Sequence, residues 1–277
     1  MPRAIDCWVN TNMGDAVPPE FLRRVAEDYF KRPDSIFRSF TPQALLAEMD
    51  EAGVEKAILT VAGEAPSRDV LAFPEASPDR FALSVLVDPR RGMKAVRELD
   101  ALRRSQPVVL ARVTPFLAGG LPPNDYRYFP LYTRCIDWGL PISINTGLPG
   151  PPVPGRCQDP MHLDEVCYFL PELVVVMAHG ADPWWGVATR LMIKYTNLFL
   201  MTSAYAPKYF PAELVHFMNT RGKHKILFAS DHPVLDFRRC VAEAEALPLR
   251  EGVLDLFLYQ NAHRLFFAKG GATEAAA

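Results

Sequence analysis

No hydrophobic run in the chain approaches the ~20 residues of a bilayer-spanning helix, which excludes that membrane class from sequence alone. The opening residues, MPRAIDCWVN, lack the apolar segment of a secretory signal, so a cytoplasmic location is expected. A surplus of one charge is missing as well: 30 Lys and Arg face 32 Asp and Glu, interspersed, for a net charge of −2. No polybasic nucleic-acid or membrane surface is expected, which leaves a small molecule as the expected partner. The cysteines (Cys7, Cys135, Cys157, Cys167 and Cys240) are odd in number and form no Cys-x-x-Cys pair. That argues against a disulfide framework or a cysteine zinc site and for reduced thiols.

What is present is a long globular chain. Its 277 residues are 49% hydrophobic and 22% charged, with no break in composition. The stretch from Pro171 to Trp185 (PELVVVMAHGADPWW) sets the pattern. Leu173 to Met177 is a short apolar run, β-branched at its centre, and reads as a buried strand. His179 and Gly180 follow at once, and Asp182-Pro183 opens a helix.

The same unit recurs along the chain. Strands are predicted at Ala4–Val9, Lys56–Val61, Phe81–Val87, Val108–Val113, Ile142–Thr146, Leu198–Thr202 and Ile226–Ala229, besides the one at 173–177. Helices are predicted from Pro18 to Arg32, from Thr41-Pro42 to Gly53, from Pro89 to Arg104, and through Leu131–Trp138, Trp184–Tyr195 and Pro211–Asn219; more helices close the chain through Phe267. Strands alternating with helices predict a single α/β domain over 1–269, a distorted (β/α)8 TIM barrel. Residues 18–40 read as an insertion over the rim or an oligomer contact, and 270–277 as a frayed tail. Gly147 to Pro160 is too rich in Pro and Gly for regular structure. It reads either as a lid carrying Arg156 and Gln158 to a ligand or as a rigid surface loop.

In such a barrel the chemistry sits at the C-terminal ends of the strands. Those tips carry Asp6, Trp8 and Asn10, then Arg112, Asn145 and Thr146, His179, Ser203 and Tyr205, and Asp231. By the period-two rule Asp6, Trp8 and Asn10 share one face of the first strand, Cys7 and Val9 the other. Each residue has a structural reading: His179 as a hydrogen-bonded scaffold histidine, Asp231 as a helix cap, Arg112 as half of a barrel ion pair. The convergence of all of them at one rim points instead to an acid–base pair or part of a metal site.

On Phe169–Gly180, Asn197–Ala204 and Ile226–Pro233 the chain resembles the amidohydrolase-related proteins, the group that includes aminocarboxymuconate-semialdehyde decarboxylase and related aromatic-acid decarboxylases. The resemblance runs from Ile5-Asp6 to Phe266. It implies the distorted barrel, and in many members one divalent metal. The family's first strand reads Asp-x-His-x-His; here it reads Asp6-Cys7-Trp8-Val9-Asn10, so both metal histidines are replaced. His179 matches the Ala-His-Gly histidine and Asp231 the Ser-Asp-x-Pro aspartate. No histidine follows the strand at Leu198–Thr202, where the decarboxylases use one; Tyr205 lies nearest.

Catalytic zinc normally takes three protein ligands and an open position. A retained metal would have His179, Asp231 and only the weak amide oxygen of Asn10, so no cofactor is expected and residual zinc is disfavoured. The expected activity is metal-independent hydrolysis of a small carboxylate substrate with a reactive carbonyl, such as a lactone or ester. His179 and Asp231 would supply a base and its partner. Arg112 would anchor the carboxylate, Asn10, Asn145 and Ser203 would bond the reacting carbonyl, Trp8 would give a flat wall for a ring, and Tyr205 is a further expected substrate contact. Two alternatives stand beside it: a metal-dependent decarboxylase of an aromatic or dienoic acid, and a catalytically inactive binding protein paired with an active paralogue. A homodimer is the expected assembly.

Overall fold

The computed structural model describes residues 2–268 apart from 16 and 32, so the expected tail at 270–277 lies outside the described residues. Eight parallel strands run in the order of the chain: β1 (Ala4–Val9), β2 (Val54–Ala62), β3 (Phe81–Leu86), β4 (Val108–Val113), β5 (Ile142–Asn145), β6 (Val175–Ala178), β7 (Leu198–Met201) and β8 (Ile226–Leu227). The sheet curls until its edges meet. Cys7 N donates to Phe228 O at 3.1 Å, Asp231 N to Trp8 O at 3.1 Å and Asn10 N to His232 O at 2.8 Å. With helices between successive strands, this is a (β/α)8 barrel.

The strands are nearly all buried on both faces, as parallel strands must be. Their outward residues, among them Val9, Leu59, Leu83, Val113, Ile144 and Met177, form one continuous core with the helices. Their inward residues, Ile5, Cys7, Ile58, Leu110, Val176, Phe199, Met201 and Leu227, fill the barrel. Below them, Tyr259, Leu265 and Phe266 from the closing turns at Leu256–Gln260 and His263–Phe267 join the inner cluster. The end of the barrel at which the strands begin is thus plugged, and the inward polar residues gather at the other.

Local chemistry sets the element boundaries. The helix at Pro42–Ala52 begins where Thr41 accepts a hydrogen bond from Ala44 N and ends at Gly53 in the left-handed region, φ 73°. The last strand is only two residues long, against the four predicted. Phe228 N is drawn to Phe257 O at 3.2 Å, and Ser230 N turns to the Asp6 carboxylate. The predicted helix from 18 to 32 is instead a short helix at Glu20–Arg24 and a wider turn at Val25–Phe30, ended by Lys31 at φ 53°. The chain then returns to the exit of β1, where Phe40 N donates to Thr11 O at 2.9 Å.

Candidate active site

The site is built from the bottom of its first strand. Asp6 has no exposed surface and accepts from Trp8 N at 3.0 Å and Ser230 N at 3.1 Å. This carboxylate ties β1 to the end of β8. Burial pushes its pKa up to about 7, against the pull of the bonds from Ser230 and Trp8. Register shifts in β1 between Asp6 and Val9 break strict alternation. Cys7 therefore faces the barrel interior with Trp8 instead of sharing a side with Val9, a correction to the period-two reading.

Above this seam the side chains converge. Asn10 Nδ2 donates to Asp231 Oδ1 at 2.8 Å and to His232 O at 3.2 Å, and Asn10 Oδ1 accepts from Thr60 Oγ1 at 2.8 Å. Arg112 ends β4 on the inward face of Leu110, 9% exposed, with its guanidinium carbon 4.3 Å from the Trp8 ring centroid. Among the described residues it makes no ion pair or hydrogen bond, and its buried Nε has no partner. The His179 ring lies 4.5 Å from Trp8 at a tilt of 53°, and its Nδ1 is 2.7 Å from Ser203 Oγ. Asn145 is buried, and its Oδ1 has no partner among the described residues.

Backbone strain marks the same residues. His179, Ala204 and Asp231 hold φ values of 64°, 65° and 65°. Left-handed backbone in a residue other than glycine costs of order 1–3 kcal/mol and concentrates at functional sites. Gly180, at φ 66°, follows His179 because a Cβ there would stand 2.4 Å from the Trp185 ring and 3.1 Å from Tyr205.

The electrostatics follow from burial. Desolvation and the Arg112 charge push His179 down to about 3, so the imidazole is neutral at pH 7. Desolvation pushes Asp231 up to about 7, although bonds from Asn10 and Trp8 and the Arg112 charge pull it down. Burial lowers Arg112 to about 10, which still leaves it a cation. The mouth thus carries a fixed positive charge, a neutral imidazole and a carboxyl group poised to titrate.

The sequence model of the amidohydrolase family matches residues 5–268. The chain belongs to this family. No curated protein matches it. Among solved structures, this amidohydrolase family member is similar to an uncharacterised TIM-barrel protein from Bordetella bronchiseptica, at 24% identity over 98% of this chain and 99% of that one, TM-score 0.79. It is also similar to 5-carboxyvanillate decarboxylase from Sphingomonas paucimobilis, at 19% identity over 96% and 99% of the chains, TM-score 0.72. A probable 2-pyrone-4,6-dicarboxylic acid hydrolase from Acinetobacter baumannii matches at 15% identity over 95% and 99%, TM-score 0.63. At these identities the likenesses establish the fold.

The donor set of this family member does not fit a catalytic metal. Among the described residues no three His, Cys, Asp or Glu side chains come together as a ligand group. The Asn10 oxygen is engaged by Thr60 and the Asn10 amide turns its N–H toward Asp231, which leaves only His179 Nε2 and the Asp231 carboxylate as donors. A guanidinium beside them adds repulsion toward a second cation.

The predicted residues divide in two. His179, Asp231, Asn10, Trp8, Arg112 and Ser203 are linked by contacts at one mouth. Tyr205 packs edge-on against Trp185 at 5.3 Å, its phenol pushed up to about 12 by burial. Three expected roles need correction. Trp8 is 4% exposed and covered by Arg112 and His179, so it is a platform for those groups and not a free wall for a ring. Ser203 has no exposed surface and bonds His179, so it does not reach a substrate carbonyl. Asn10 spends its amide on Thr60, Asp231 and His232.

Of the long loop, Gln158 is buried and donates to Gly147 O at 2.8 Å, while Arg156 is exposed. Leu148 N donates to Asp182 O at 2.7 Å, which pins the loop to the segment after His179. Thr60 is the residue sequence reasoning missed. Its signal was there: it lies near the C-terminal end of β2, on the face that Ile58 turns inward.

Proposed function

We propose that this amidohydrolase family member is a metal-independent hydrolase of a small carboxylate substrate bearing a lactone or ester carbonyl. The observation that carries the reading is Arg112: a cation nine-tenths buried, seated on Trp8, with no hydrogen bond or close ion pair among the described residues, and in electrostatic contact with an Asp231 held near neutrality. A buried guanidinium without a partner invites an anion, and a planar carboxylate matches its fork.

Asp231 is the base, because a pKa of about 7 combines availability with proton affinity at physiological pH. Its carboxylate takes one proton from water as the water oxygen bonds to the carbonyl carbon. The carbonyl π pair moves to oxygen. On collapse that pair returns, the C–O bond to the leaving alkoxide breaks, and Asp231 returns the proton to the alkoxide. His179, its ring against Trp8, is its partner and serves the developing oxyanion.

Decarboxylation of an aromatic acid is the second reading, favoured by the likeness to 5-carboxyvanillate decarboxylase. A panel of lactones, esters and aromatic acids separates the two by product. Hydrolysis acidifies a weakly buffered reaction with no CO2; decarboxylation releases CO2. A compound that raises the melting temperature without turnover would identify a binding protein and contradict both.

A further inference from the structure

We propose that Ser203 is a positioning residue that locks neutral His179 in the tautomer with its proton on Nε2, making His179 a hydrogen-bond donor to the substrate and not a base. For its chemical consequence the proposal rests on the hydrolase reading; the tautomer itself does not.

A serine oxygen has one hydrogen to give and two lone pairs to receive. Ser203 Oγ already accepts the backbone N–H of His179 at 3.0 Å, and His179 Nδ1 lies 2.7 Å away. If Nδ1 carried the proton, both lone pairs would be occupied and the hydroxyl hydrogen would need another acceptor. Ser203 has no exposed surface and makes no other hydrogen bond among the described residues, so that hydrogen would be buried and unpaired. The hydroxyl therefore donates to Nδ1, and the ring proton sits on Nε2.

The left-handed turns at His179 and Ala204 serve this geometry. They bring the His179 backbone and ring onto one oxygen, so the imidazole cannot rotate without losing its bond to a hydroxyl that the His179 backbone N–H holds in place. Nε2 has no hydrogen-bond partner among the described residues. Burial and the Arg112 cation keep the ring from gaining a second proton. His179 Nε2–H and Arg112 then form a pair of donors for an anionic or polarised oxygen, with Asp231 as the only base.

Long-range proton–nitrogen correlation spectra of the full chain with nitrogen-15-labelled histidine read the tautomer without any substrate. The His179 signals are identified by their loss in His179→Asn. The expected wild-type result is an unprotonated Nδ1 and a protonated Nε2, and added zinc leaves both unchanged. Ser203→Ala shifts the ring toward a mixture with Nδ1–H, whereas Ser203→Thr, which keeps a hydroxyl, retains the wild-type pattern. With a substrate in hand, Ser203→Ala lowers kcat in proportion to the fraction of the ring that has lost its Nε2 proton, with KM little changed, whereas complete loss of one oxyanion donor would cost roughly 10²–10³. A protonated Nδ1 in the wild type overturns the proposal even if neither Ser203 variant folds. So does a Ser203→Ala spectrum identical to wild type. Absence of hydrolase activity with the expected spectrum refutes the hydrolase reading alone.

Discussion

Arg112→Met loses carboxylate binding and gains thermal stability. The guanidinium is held in the barrel without a hydrogen bond or close ion pair among the described residues, and burial, only partly offset by the Asp231 charge, has lowered its pKa from 12.5 to about 10. Arginine is charged at pH 7 in both folded and unfolded chains. The lowered value therefore measures a cost of folding, on the order of 3 kcal/mol. Methionine has the length to cover Trp8 and carries no charge to desolvate. A substrate carboxylate would lose its only cation at the mouth, and truncating one side of a buried charge pair costs about 2–5 kcal/mol in binding. Calorimetric titration with benzoate as a simple probe, together with melting curves, checks both halves. A variant that melts lower and binds benzoate as well as wild type would mean that Arg112 is a structural residue.

Asp231→Asn lowers kcat/KM by about 10²–10⁴, the usual contribution of a general base. Wild-type activity rises with pH through about 7, as the raised carboxyl group gives up its proton, and the variant's residual rate loses that limb. The stability consequence has the opposite slope. A carboxyl whose folded pKa is raised from 3.8 to about 7 stabilises the fold fully below its unfolded value and loses that contribution as pH rises through about 7. Wild-type melting temperature therefore falls between about pH 4 and about pH 7 by more than that of Asp231→Asn. A pH profile unchanged by the substitution would remove Asp231 from the chemistry.

The barrel was legible in the sequence because parallel strands are buried on both faces and so appear as short apolar runs; Val108–Val113 lies where its run predicted. Polar tips followed from strand ends, which is why six of the predicted residues meet at one mouth. Two helices were not legible. Arg68–Ala76 contains Pro74, which reads as a breaker, and His162–Phe169 begins just after a Pro-rich loop without a side-chain cap. What each site residue does was harder still. Trp8 read as a wall because its face was judged by alternation, and the bulge in β1 and the approach of Arg112 lie outside any local rule. Ser203 read as a substrate contact because its distance to His179 is set by two left-handed turns that the residue types Ala and His do not announce.

Metal content of the purified protein by elemental mass spectrometry, read beside melting curves with and without added zinc, tests the central claim most directly. That claim is that Arg112, and not a divalent ion, supplies the positive charge at the barrel mouth. The prediction is metal well below one equivalent and a melting temperature that zinc does not raise. Near-stoichiometric metal with a zinc-dependent rise in melting temperature would contradict it, because an ion bound to the native state alone stabilises that state by RT ln(1 + [L]/Kd).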